Sequence, residues 1–166
     1  MEAPTLLLKQ WTNQVKELFP KLYGHQQKTL AFAVLSMILA GNAVLQRMAE
    51  EVSLQEMSEA KMPSIERRLQ RFIANKRIDV TACWKSFLEQ VLPFWQNKEV
   101  VLVLDCTPFR DTFTIIYLGL LVHHRVLPLA WKIMPQQESW DQGQWELVRQ
   151  LVAGVAPYFP PANFVP

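Results

Sequence analysis

The sequence predicts an α+β chain: a helical N-terminal part, then a three-stranded antiparallel meander and one more helix. Three observations carry this. Apolar residues recur at helical spacing as far as Trp95, β-branched and aromatic runs take over from Glu99, and the links between those runs are short enough to require hairpins. The division predicted from this change of pattern is a helical part over residues 1–97 and a β-rich part over 98–166.

The helices come first. Thr5 to Leu18 places Leu8, Trp11, Val15 and Leu18 on one face before Pro20 stops the run. Gln26 to Ala40 is almost wholly apolar in its second half and closes at Gly41-Asn42. Ala43 to Val52 aligns Leu45, Met48 and Val52. Ser64 to Asn75 follows, with Pro63 acceptable in its first turn. Val80 to Trp95 carries Trp84, Leu88, Val91 and Trp95 as an inner stripe.

The strands are Val100–Leu104, Thr112–Val122 and Val126–Met134, joined through Pro108–Asp111 and through His123-His124-Arg125. Of these, Val100–Leu104 reads as the most core-like. Trp145 to Val155 returns to helical spacing, and Asn163 to Pro166 has the look of an approach to another strand, so the sequence reads as cut short. A meander with one helix leaves a sheet edge poorly covered.

Composition narrows the class. Half of the 166 residues are hydrophobic and 19% are charged, enough for a packed core. Cys83 and Cys106 form no metal-ligand or redox pattern, which suits a reducing cytoplasm. No signal peptide is expected, and the apolar stretch Ala31–Ala40 is shorter than the roughly 18–20 residues that cross a bilayer. No glycine-rich phosphate loop is present. The residues of His123-His124 fall in a turn and point apart. Cys106 is expected to pack as a small apolar group with no base to activate it, and Trp131 to be core. The polar loop Trp140–Trp145 is a candidate for contact with DNA or a partner.

The net charge of +2 hides an uneven distribution. Glu50, Glu51, Glu56 and Glu59 are followed by Lys61, Arg67, Arg68, Arg71, Lys76 and Arg77. At 100° per residue Ile65, Leu69, Phe72 and Ile73 share one arc, and Arg67, Arg68 and Arg71 the opposite one. A short helix, a connection and an arginine-rich helix have the spacing of a helix-turn-helix element, in which guanidinium groups meet phosphates or guanine edges. An ordinary solvated face is the other reading of these charges.

Asp105 is the second candidate. An ionised carboxylate ending a core strand is costly unless hydrogen-bonded, paired or bound to a cation. It could cap the turn before Pro108, pair with Arg110 or Arg125, or hold a divalent metal with other carboxylates.

Four segments together carry a family resemblance: V-L-V-L-D-C-T (Val101–Thr107), I-I-Y-L-G-L-L-V (Ile115–Val122), V-L-P-L-A-W-K-I-M (Val126–Met134) and S-I-E-R-R-L-Q-R-F (Ser64–Phe72). In order and spacing the chain resembles the N-terminal part of a bacterial insertion-sequence DDE transposase of the fourth-family, or transposase-11-like, group. The resemblance implies an incomplete ribonuclease-H-like core behind a helical DNA-binding part. It also implies two-metal phosphoryl transfer on DNA with Mg²⁺ or Mn²⁺ held by three carboxylates. Asp105 would be the first of these. Arg67, Arg68, Arg71, Lys76 and Arg77 would contact the DNA of the element ends.

The family's second Asp lies on the strand after the meander's helix, whose start Phe164–Pro166 resembles. Its third carboxylate, a Glu, has no counterpart here, and nothing puts Glu138, Asp141 or Glu146 in those roles. The expectation is therefore a chain that alone neither cleaves nor joins DNA and does not hold the metal pair stably. Two further readings stay open. One is a non-catalytic DNA-binding regulator that co-assembles with itself or with a full-length transposase. The other is a helical scaffold in which Asp105 is only a turn cap.

Overall fold

The computed structural model describes residues 3–95, 98–135 and 143–159. Among the described residues, six α-helices and one three-stranded antiparallel sheet give an α+β arrangement, as the residue patterns predict. The helices are α1 (Ala3–Leu18), α2 (Gly24–Ala40), α3 (Leu45–Leu54), α4 (Met62–Ile73), α5 (Val80–Val91) and α6 (Gly143–Val155). The strands are β1 (Leu102–Phe109), β2 (Phe113–Val122) and β3 (Arg125–Pro135). The chain divides into two compact units, Met1–Phe87 and Leu88–Pro166, so the division falls inside α5. No single helix among the described residues is long and apolar enough to cross a membrane.

Local chemistry fixes the helix ends in the first unit. The Tyr23 N–H donates to Gln26 Oε1 at 2.9 Å, satisfying an amide ahead of α2. Gly41, at φ +64°, ends that helix in the left-handed conformation that glycine adopts without a Cβ clash. Pro63 sits in the first turn of α4, where its missing N–H costs no helical hydrogen bond. Pro93 marks where α5 gives way to a 3-10 turn over Leu92–Trp95, shorter in α-helix than the single run to Trp95 that spacing predicts.

The core of this unit joins Phe32 of α2, Met48, Ala49 and Val52 of α3, and Ile65 and Leu69 of α4. Leu8 of α1 packs against it. Where α1 ends, Phe19 and Trp84 both stack on Phe87, and Ser86 Oγ donates to the Leu18 carbonyl at 3.1 Å.

In the second unit the sheet runs in the order β1-β2-β3. Its first hairpin turns through Arg110 and Asp111, both at φ near +50°, the backbone that primed hairpin turns require. Alternate residues Thr114, Ile116, Leu118 and Leu120 of β2 are buried. Helix α6 packs against β2 and β3 and contributes Leu151 and Val155 to the buried set.

This arrangement corrects three expectations. The run taken as the most core-like strand belongs to β1, which is half-buried at Leu102 and Val103 and exposed from Leu104 onward. Only the middle strand of a meander has neighbours on both sides, and that strand is β2. With β1 on the outside, Cys106 is exposed instead of packed. Trp131, expected in the core, is 41% exposed because β3 is the other outer strand. The segments Asn163–Pro166 and Trp140–Gln142, together with Glu138 and Asp141, lie outside the described residues; Trp145, at the start of α6, is exposed.

Candidate functional site

Two groups of candidate residues were expected, and the fold treats them differently. On α4 the apolar arc does what its spacing predicts at Ile65 and Leu69, which are 1% and 0% exposed. Phe72 is half-buried, while Ile73, expected on the inner face, is 69% exposed in the helix's last position. With one side of α4 fixed in the core, Arg67, Arg68 and Arg71 face outward, and all three are exposed.

These three arginines and Ser64 line one shallow depression of about 300 Å³. No carboxylate lines it among the described residues. Arg68 is the most constrained of the three. Its Nε and Nη2 donate to Thr29 Oγ1 of α2 at 3.3 and 3.2 Å, and its guanidinium carbon lies 4.9 Å from the centroid of the Phe32 ring. Lys76 and Arg77 are exposed in the connection to α5 and do not line the depression. A cluster of guanidinium groups on an exposed helix face can neutralise phosphates and set the register of a nucleic-acid backbone on it.

Asp105 lies in the fourth position of β1, opposite Tyr117 of β2, which in turn pairs with Trp131 of β3. Residues paired in this way share a face of the sheet, so carboxylate, phenol and indole stand in one row. Thr107, two residues on and thus on the same face, donates its hydroxyl to Asp105 Oδ2 at 3.2 Å. Partial burial, and then the charge of the Asp105 carboxylate opposite it and hydrogen bonding to that carboxylate, push the Tyr117 phenol above its usual value of 10.0.

Neither local explanation for Asp105 holds. The strand continues to Phe109, so Asp105 caps no turn. No ion pair among the described residues joins it to Arg125, or to Arg110, whose guanidinium lies over the Phe109 ring. The carboxylate is exposed and accepts from Thr107, with the Tyr117 phenol opposite it on the neighbouring strand. Sequence reasoning missed Tyr117, which only strand register brings to Asp105.

The donor set around Asp105 does not fit a pair of divalent cations. Such ions need several oxygen ligands apiece, and no group of three His, Cys, Asp or Glu side chains forms among the described residues. Glu146 pairs with Arg149 at 3.5 Å on α6. Slight desolvation on the exposed strand first, and then the neighbouring Asp105 charge, push the Cys106 thiol above its usual value. Burial and Asp79 raise Cys83 likewise. Compared with protein-family models, with curated proteins and with solved structures, the chain matches none.

Proposed function

We propose that this chain is a DNA-binding protein of the insertion-sequence transposase type. In this reading α3 and α4 act as a helix-turn-helix-like pair in which α4 meets the DNA of the element ends. The β unit is the beginning of a ribonuclease-H-like core, with Asp105 as its first carboxylate. The observation that carries the DNA contact is the depression lined by Ser64, Arg67, Arg68 and Arg71 without a carboxylate among the described residues. The meander supports the core assignment: D-x-T falls on its first strand, Thr107 orients Asp105, and α6 returns to pack on the sheet.

No group of three or more His, Cys, Asp or Glu side chains forms among the described residues, and in this reading the chain by itself binds DNA and performs no metal-dependent cleavage. A Mg²⁺ or Mn²⁺ pair belongs to a site completed by further carboxylates. A non-catalytic role, in concert with another copy or with a full-length transposase, follows from the same facts, and its place is the cytoplasm, where DNA is the partner.

Fluorescence anisotropy with duplex DNA across a salt series tests the reading. The logarithm of the binding constant is expected to fall linearly with the logarithm of salt concentration. The Arg67→Ala/Arg71→Ala double substitution should make that slope shallower by about one for each phosphate the arginines neutralise in the parent chain. Affinity indifferent to salt, or unchanged in the double variant, overturns it.

A further inference from the structure

A second cationic concavity shares Arg68 with the first. It has a volume of about 390 Å³, within the ~300–1,000 Å³ typical of small-molecule sites. Helix α1 contributes Lys9, Thr12, Asn13 and Lys16, which recur at i, i+3, i+4 and i+7 and therefore share a face. Lys28 of α2 and Arg68 of α4 complete the rim. The lining beneath them is apolar: Leu8, Phe32 and Met57.

Four cations converge with no carboxylate among the described lining residues, so the rim favours an anion and concentrates it locally. The hydrogen bonds present stabilise the walls without neutralising them. Thr12 donates to the Leu8 carbonyl at 2.7 Å, Lys16 Nζ donates to Asn13 Oδ1 at 3.4 Å, and Arg68 is held by Thr29. A backbone phosphate would gain from the rim alone. Leu8 and Met57 are only half-buried, and the apolar surface they leave gains from a ligand with a hydrocarbon portion.

We infer that this cleft is a binding site for a small organic anion, with a terminal phosphate or carboxylate against Lys9, Lys16, Lys28 and Arg68 and an apolar body over Leu8, Phe32 and Met57. The site is separate from the proposed DNA contact on α4 and touches it only through Arg68. An anion held there meets the guanidinium that also lines the α4 depression.

Octyl phosphate is the probe, titrated into the full chain by calorimetry while the Met57 methyl resonance is followed by NMR. A saturable one-to-one isotherm and a Met57 shift are expected, with octanol and inorganic phosphate each binding at least tenfold more weakly. Lys28→Ala should weaken octyl phosphate severalfold and leave duplex-DNA affinity within about twofold. Octanol binding as tightly as octyl phosphate reduces the cleft to an apolar patch, and inorganic phosphate binding as tightly removes any role for the apolar lining. A silent Met57 methyl, or an unaffected Lys28→Ala variant, also overturns the site. Should Lys28→Ala cut DNA affinity as deeply as Arg67→Ala, the cleft is part of the nucleic-acid surface and not a small-anion site. A chain with no DNA affinity at all leaves the octyl phosphate outcome to stand or fall by itself.

Discussion

Asp105 shows how register redefines a single residue. Its identity and its D-x-T context are visible in the chain, but its partner across the strand is not, because Tyr117 is twelve positions away and is brought opposite by the hairpin. The phenol stays protonated to higher pH than usual, and the sign of the linkage follows. Its raised value in the fold contributes stability that is present below about pH 10 and lost as pH climbs through the raised value. Asp105→Asn removes the charge and leaves the partial burial, so the alkaline absorbance titration of Tyr117 should shift to lower pH. An unchanged titration would mean that the carboxylate does not act on the phenol. Arg68 makes the companion point: spacing places it on the cationic arc, yet Thr29 and Phe32, which fix its position, come from another helix.

Among the elements, α4 separates folding from binding along its two faces. Leu69 is fully buried against α2 and α3 residues, so Leu69→Ala should cost about 2–5 kcal/mol in unfolding free energy. Arg67→Ala/Arg71→Ala, on the exposed face, should stay within about 0.5 kcal/mol of the parent while weakening DNA binding. Denaturant melts of the three proteins check this, and a collapse of stability in the arginine variant would tie those residues to the core instead. The sheet has a comparable pressure point at Gly119, beside the register shift between Leu118 and Gly119. A Cβ there would collide with Val126 Cγ1 and lie 3.2 Å from the Leu127 carbonyl oxygen. Gly119→Ala should destabilise the chain by about 1–3 kcal/mol, through overpacking against the β-branched Val126 side chain and the Leu127 carbonyl. A thermal melt indistinguishable from the parent would show that β3 yields at that point.

At the scale of the whole molecule, two-metal chemistry of the proposed type requires several carboxylates to meet. Asp105 accepts from Thr107, and no group of three or more His, Cys, Asp or Glu side chains forms among the described residues. Supercoiled plasmid incubated with the chain and Mg²⁺ or Mn²⁺ is therefore expected to remain uncut. Metal-dependent nicking that disappears in Asp105→Asn would sink that expectation.

Much of the architecture was legible along the chain. Helical spacing located the helices to within a few residues, because burial of one face selects residues at that period. Proline positions carried a further signal about the sheet that the apolar runs obscured. Proline lacks the N–H that a central strand must donate, and Pro108 and Pro128 fall in β1 and β3 while β2 has none. Hydrophobicity alone makes Val100–Leu104 read as the most core-like run, whereas β2 carries the burial.

The sequence by itself determined the α+β order, the amphipathic character of α4 and the presence of one carboxylate in a strand, since each depends on neighbours a few residues apart. Tertiary structure decided how far β1 and β3 are exposed, that Tyr117 stands opposite Asp105, and that Arg68 lines two cationic concavities. Those are relations between distant segments, set by register and packing, and local periodicity carries no information about them.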